Sequence, residues 1–91
     1  MPLYVIICRD KPGNLETRKA NRDAHLAYID ATGVVQQAGA FLDDSGEMSG
    51  SLLILDVSDL TAAKDWAAND PYAKADLFED VSIQRWNRVI G

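Results

Sequence analysis

The chain has 91 residues, 47% of them hydrophobic, and its 9 basic and 14 acidic residues give a net charge of -5. This length suits a single domain, residues 1–91, and the apolar content is sufficient for a folded core. The acidic balance argues against a nucleic-acid-binding surface, which needs clustered Lys and Arg, and against binding to an anionic membrane. One cysteine, Cys8, excludes an intrachain disulfide and indicates a reducing, cytoplasmic location.

The first predicted element is a strand at residues 3–8, which are all apolar or aromatic. This run is too short for a signal-peptide core or a membrane span, so we expect a buried strand near the start of the chain. A long helix at residues 15–31 contains no Pro or Gly. Asn14 is its predicted N-cap, and Gly33 stands where a glycine commonly ends a helix.

The remaining elements follow from the same signals, in chain order: strand 34–42, polar turn 43–47, strand 51–57, a helix from Ser58 or Asp59 to about residue 69, a helical turn at 72–77 and strand 81–89. Pro71 ends the second helix, because the residue before a proline avoids the helical region. The order β-α-β-β-α-β predicts an α+β, ferredoxin-like fold. Such a fold is a four-stranded antiparallel sheet with two helices on one face.

Two of the predicted strands, 3–8 and 51–57, are apolar at both parities. An antiparallel sheet with one solvated face normally alternates between apolar and polar residues. Two helices cover only one face of four strands, so we expect the other face to be covered in a homodimer formed through the sheet. A moderately apolar, exposed sheet face is the alternative.

The only histidine lies on the first helix, and Arg18, Arg22, His25 and Ile29 follow one another at helical spacing. They fall within a narrow arc beside the apolar stripe that faces the sheet. Charged groups placed there need partners or a water-filled cavity. In one interpretation a pocket uses the guanidiniums to bind an anion and the imidazole to transfer a proton. In the other, His25 bonds a backbone carbonyl and the arginines pair with carboxylates.

A second candidate segment is Asp70-Pro71-Tyr72, which either only ends a helix or brings Asp70 to the imidazole to orient it. Tyr28, about 60° from His25 around the helix, could line the same pocket or pack in the core. Ser49 and Ser51 could donate hydrogen bonds into the pocket or simply occupy the strand edge. Cys8 is expected to be a small core residue, and no zinc-ligand pair or phosphate-binding loop is present.

Several short segments together resemble the YciI-like family: Arg22-x-x-His25-x-x-Tyr28, Ala38-Gly39-Ala40, Gly50-Ser51-Leu52, and Asp70-Pro71-Tyr72 followed by Asp76-Leu77-Phe78. The resemblance covers essentially the whole chain. It implies a dimeric, ferredoxin-like α/β-barrel fold, related to muconolactone isomerases and small monooxygenases. It also implies a histidine–aspartate dyad at His25 and Asp70. Many relatives have Gly-Pro where this chain has Gly39-Ala40, and Gly in place of Asp76, so the substrate is not transferred.

Our first hypothesis is an isomerase or a dehydrochlorinase-like lyase that acts on a small anionic or aromatic substrate without metal or cofactor. His25 and Asp70 would be catalytic, and the substrate would be bound by a further set: Arg18, Arg22, Tyr28, Ser49 and Tyr72. The alternative is a non-catalytic dimer that binds a small ligand or serves as an accessory domain. An RNA-binding module shares the element order, but strand 51–57 lacks the basic and aromatic residues that stack bases.

Overall fold

A computed structural model describes residues 2–91. Its elements in chain order are β1 (Leu3–Asp10), α1 (Leu15–Thr32), β2 (Val35–Leu42), β3 (Met48–Asp56), α2 (Leu60–Asn69), α3 (Pro71–Lys74) and β4 (Phe78–Trp86). The predicted order β-α-β-β-α-β is confirmed, with the short α3 lying between α2 and β4. The last strand was predicted at residues 81–89, whereas β4 begins at Phe78 and ends at Trp86. β4 pairs with β1 from Phe78 opposite Asp10 to Trp86 opposite Leu3, and β1 offers no partner beyond Leu3.

The four strands form one antiparallel sheet in the order β2-β3-β1-β4, as the ferredoxin-like prediction requires. In the two central strands, Ile6 of β1 lies opposite Leu53 of β3, and on its other side opposite Ile83 of β4. Residues opposite one another project from the same face of a sheet. These residues therefore belong to one face, here called the inner face, and both long helices pack against it.

The helix ends follow the predicted signals in part. Gly33 ends α1 in the left-handed region, with φ 65°. Asn14 stands at the N-cap position of α1, but its side chain caps no backbone amide; its Nδ2 donates instead to the carbonyl of Pro12. Asp59 caps α2 by accepting from the amide of Ala62 at 2.8 Å. In the described part of the chain, no helix has the length and apolar character needed to cross a membrane.

The inner face and the helices together form the core, whose buried members are Tyr4, Ile6, Cys8, Leu53, Leu55, Val57, Ala63 and Trp66. The opposite face of the sheet, here called the outer face, is also apolar at its centre. Val5, Ile7, Leu52 and Ile54 line a shallow groove there. Both parities of β1 and β3 thus carry apolar side chains, but only the inner parity is covered by helices.

Candidate functional site

A cavity of about 170 Å³ lies between α1 and the inner face of the sheet. Its lining comes from α1, β2, β3 and α3: Arg18, Arg22, His25, Leu26, Ile29, Ala38, Gly39, Ala40, Met48, Ser51, Leu53 and Tyr72. The helix stripe predicted from spacing therefore forms one wall of this pocket. Arg18 and His25 are the two buried residues of α1, so polar side chains occupy positions where a core helix usually carries aliphatic ones.

His25 and Asp70 contact each other directly. The distance from Nδ1 of the imidazole to Oδ1 of the carboxylate is 2.7 Å, and the residues are 6% and 2% exposed. An ionised carboxylate only accepts hydrogen bonds, so this contact places a proton on Nδ1. In the neutral ring Nε2 then carries the lone pair, and no described residue forms a hydrogen bond with Nε2. The imidazole thus has one anchored nitrogen and one that is available to a ligand.

Asp70 reaches the imidazole because it stands between two helices. It ends α2 in an extended conformation, with φ -60° and ψ 129°, as expected before Pro71. The same Oδ1 accepts from the amide of Tyr72 at 3.0 Å, which caps the start of α3. The carboxylate is therefore held by the backbone as well as by His25, and its orientation does not depend on the imidazole alone.

Arg18 is held by a carboxylate that the sequence did not single out. Its Nε donates to Oδ2 of Asp10 at 2.7 Å, and its Nη2 donates to Oδ1 at 2.9 Å. Burial acts to lower the pKa of Arg18, but the hydrogen bond and charge of Asp10 outweigh it and raise that pKa. Arg18 is 2% exposed. Arg18 therefore pairs with a carboxylate, as one of the two interpretations of the helix stripe expected, and it also lines the cavity.

Tyr72 lies against both basic groups of the buried wall. Its ring stacks on the His25 ring with the centroids 4.0 Å apart and the planes 16° apart. The guanidinium carbon of Arg18 lies 4.6 Å from the Tyr72 ring centroid. Burial raises the pKa of Tyr72, although the charges of Arg18 and Arg22 act to lower it. The phenol therefore stays protonated at neutral pH.

The remaining predicted binding residues occupy different places. Arg22 is exposed and lies at the mouth of the cavity. The Tyr28 hydroxyl donates to the carbonyl of Trp66 at 2.8 Å, which ties α1 to α2 outside the cavity lining. The Ser49 hydroxyl donates to the carbonyl of Phe41 at 3.4 Å and also lies outside the lining. The structure thus brings Arg18, Arg22 and Tyr72 to the His25 pocket and leaves Tyr28 and Ser49 outside it.

Two polar residues of the pocket region, Asp10 and Ser51, were outside the binding set of the sequence hypothesis. Asp10 lies beyond the predicted strand 3–8, whereas β1 continues through it. Ser51 was considered beside Ser49 without being preferred. The sequence signal for Ser51 was its alternation with the core residues, because Ser51 shares the buried face of β3 with Leu53 and Leu55. A polar residue at an inward position of an otherwise apolar strand marks a polar site in the core.

The other reactive groups do not form a second centre. Burial raises the pKa of Cys8 to about 12, so its thiol is neutral at physiological pH and is a poor nucleophile. In the acidic turn, Oδ1 of Asp43 accepts from both the amide and the hydroxyl of Ser45 and from the amide of Glu47. Within residues 2–91 no group of three or more His, Cys, Asp or Glu side chains is placed to hold a metal ion.

Two solved structures are similar to this chain. A 5-chloro-2-hydroxyhydroquinone dehydrochlorinase (TftG) from Burkholderia phenoliruptrix AC1100, in complex with 2,5-dihydroxybenzoquinone, is 34% identical, with a TM-score of 0.85 and 93% of each chain covered. An antibiotic biosynthesis monooxygenase is 11% identical, with a TM-score of 0.62 and coverage of 99% of this chain and 100% of the other. At that identity the monooxygenase supports the fold alone.

Comparison of sequences gives the family. An uncharacterised protein of Haemophilus influenzae is 38% identical, covering 94% of this chain and 97% of the relative. Protein YciI of Escherichia coli O6:H1 is 36% identical, covering 96% and 98%. The family model for the YCII-related domain matches residues 2–87. The chain therefore belongs to the YCII-related domain family.

Proposed function

We propose that this protein is an enzyme that transfers a proton on a small, oxygen-bearing ring substrate, without a cofactor, in an isomerisation or an elimination such as dehydrochlorination. One observation carries the proposal: the Nδ1 atom of His25 lies 2.7 Å from Asp70 in the wall of a cavity. That contact leaves Nε2 as the ring nitrogen that can act on a ligand. A general base must lie within hydrogen-bond reach of the proton that it removes, and in this proposal Nε2 of His25 takes that role towards a ligand in the cavity.

In the proposed reaction, Nε2 of His25 takes a proton from a ring C–H or O–H group. The electron pair of that bond moves into the ring, towards a carbonyl oxygen in isomerisation or to expel a chloride ion in elimination. Asp70 stabilises the imidazolium that results and keeps the proton on Nδ1 throughout. The proton on Nε2 then returns to another ring atom, or passes to solvent, and the neutral imidazole is regenerated.

The size of the cavity limits the substrate to a single ring. An apolar protein cavity of about 150 Å³ is known to hold benzene, and this cavity is about 170 Å³. Arg22 at the mouth favours an acidic or anionic ring. The dehydrochlorinase of similar structure, at 34% identity, contains 2,5-dihydroxybenzoquinone, a ring of this size and chemistry. Ring compounds of that class are therefore the substrates to test first.

We also propose that the protein acts as a homodimer formed through the outer face of the sheet. That face carries Val5, Ile7, Leu52 and Ile54 around a groove that no helix of the same chain covers. Burying such apolar area is the main favourable term in stable association. The measured molar mass in solution checks this proposal, and a monomer at micromolar concentration would contradict it.

Chloride release from 5-chloro-2-hydroxyhydroquinone tests the proposed reaction. We expect turnover by the wild type and a decrease in kcat/KM of about 100- to 10,000-fold in His25→Gln, with the fold retained by circular dichroism. Lys19→Ala is the matched control, because Lys19 is exposed on the same helix and its one ion pair among the described residues is with Glu16 at 3.8 Å. Equal rates for His25→Gln and the wild type would contradict the proposal. Binding without turnover would favour the non-catalytic ligand-binding domain.

The role of Asp70 has its own spectroscopic test. The chain contains one histidine, so the ring nitrogens of uniformly ¹⁵N-labelled protein give one unambiguous set of signals. We expect the wild type to show the tautomer protonated on Nδ1, and Asp70→Ala, which removes the acceptor, to lose this preference and to lose turnover. An unchanged tautomer in Asp70→Ala would show that the side chain of Asp70 does not set the state of the imidazole.

A further inference from the structure

The hydroxyl of Ser51 accepts a hydrogen bond from Arg18, which leaves its own proton free to be donated. Nη2 of Arg18 donates to Oγ of Ser51 at 2.8 Å. A guanidinium has only donors, so this contact uses an oxygen lone pair of Ser51 and leaves its proton to be donated elsewhere. Within the described residues no group accepts that proton. A buried donor without an acceptor is costly, so a ligand atom or water must supply one.

Ser51 also stands where a ligand would meet that proton. It is 3% exposed, and it lines the cavity together with His25 and Tyr72. Its place on the inner face is fixed by the sheet, because it pairs with Cys8 of β1 and with Ala40 of β2. A donor on a central strand has little freedom to turn away from the pocket. The donor is therefore preorganised.

We propose that Ser51 is the substrate-binding donor of this pocket and selects ligands with an oxygen acceptor, a ring carbonyl or phenolate, directed at β3. The proposal rests on the proposed function and names a specificity residue for that same site. Arg18 acts through Ser51: its fixed positive charge, held by Asp10, makes the Ser51 proton a stronger donor. Because Asp10 balances the charge of Arg18, this end of the pocket binds an oxygen atom through a directed hydrogen bond.

The same donor suits the proposed reaction. When His25 removes a proton next to a carbonyl group, negative charge develops on the carbonyl oxygen. A preorganised donor directed at that oxygen stabilises the developing charge more than it stabilises the neutral ground state. Ser51 on the sheet and His25 on α1 form opposite walls of one cavity. A ring between them would meet the base on one side and the donor on the other.

Equilibrium binding of 2,5-dihydroxybenzoquinone tests the proposal, and this readout does not require turnover. We expect Ser51→Ala to weaken binding about 10- to 100-fold, the usual effect of a lost hydrogen bond to a charged oxygen. Ser51→Cys nearly preserves the side-chain volume but replaces a strong donor with a weak one, so it should resemble Ser51→Ala. Ser58→Ala, an exposed serine outside the cavity, should bind as the wild type does.

Two further readouts separate a hydrogen bond from a structural role. A hydrogen bond to a ring oxygen shifts the visible absorption band of the bound quinone, and we expect Ser51→Ala to abolish that shift. The tautomer of His25 should stay the same in Ser51→Ala, which shows that the opposite wall is intact. Affinity within twofold of the wild type in Ser51→Ala, or no binding by the wild type at millimolar concentration, would overturn the proposal. Loss of catalysis in His25→Gln bears only on the proposed reaction.

Discussion

An arginine lies at each end of the pocket, buried and paired with a carboxylate at one end and exposed at the other. At the buried end, Arg18 is 2% exposed and both oxygens of Asp10 accept its hydrogen bonds. At the mouth, Arg22 lies one helical turn further along α1 and is exposed. The helix presents the two residues on one stripe, but only the first lies opposite a carboxylate of β1. Depth and the facing strand therefore determine the setting of each arginine: Arg18 is fixed in the wall by Asp10, and Arg22 is exposed at the mouth, where we propose that it meets a ligand.

Replacing each arginine with Met tests this difference and has the largest expected effect. Arg18→Met leaves the Asp10 carboxylate, whose side chain is 6% exposed, without its partner. Breaking one side of a buried ion pair costs about 3–5 kcal/mol, so we expect the free energy of unfolding to fall by that amount. Arg22→Met should change it by less than about 0.5 kcal/mol, as surface substitutions usually do. Urea denaturation followed by circular dichroism measures both.

A double variant strengthens this test. Replacing Asp10 with Leu in the Arg18→Met background removes the unpaired charge, and we expect it to restore part of the lost stability, because buried ion pairs can be replaced by apolar pairs. If Arg18→Met and Arg22→Met proved equally mild, the buried end would be no different from the surface.

The second largest expected effect is a loss of stability at alkaline pH, which arises from Cys8 near the buried end of the pocket. Cys8 lies opposite Ser51 across β1 and β3, and burial raises its pKa from 9.0 to about 12. The unfolded chain loses this proton first. The contribution of Cys8 to the free energy of unfolding is therefore fully present below about pH 9. It falls by about 1.4 kcal/mol per pH unit as the pH rises towards 12. Cys8→Ala should show a shallower decline than the wild type in urea denaturation between about pH 9 and pH 11. Parallel curves for the two proteins would contradict this expectation.

Much of the fold was predictable because it depends on local patterns. Turn residues, apolar runs and the glycine after α1 are local signals, and they placed all seven elements within three residues at each end. The last strand was displaced at both ends because its limits are set by pairing with β1, a partner distant in sequence. The helix stripe that contains Arg18 and His25 followed from the periodicity of a single helix. Such features need no knowledge of how elements meet.

The pairing of side chains between elements was harder to predict. Asp10 and Arg18 are only eight residues apart, but their contact depends on how α1 crosses the inner face. The choice between Ser49 and Ser51 depends on a register irregularity between β2 and β3 near Phe41. A shift of one residue turns a strand side chain to the other face. Composition and spacing carry no information about such an irregularity, and the predicted binding set therefore contained Ser49 instead of Ser51.

The smallest expected effect concerns Arg22, at the mouth of the cavity. Arg22→Gln removes one exposed charge near a ligand, which is worth at most about 1 kcal/mol. 2,5-Dihydroxybenzoquinone is a vinylogous carboxylic acid and is anionic at neutral pH, so we expect its binding to weaken about 2- to 5-fold at low salt. At about 1 M salt the difference from the wild type should nearly vanish, because the Debye length falls to about 3 Å. The Ser51→Ala effect should persist at both salt concentrations, since that hydrogen bond lies in the buried wall. If the two substitutions responded to salt alike, the pocket would not have two electrostatically distinct ends.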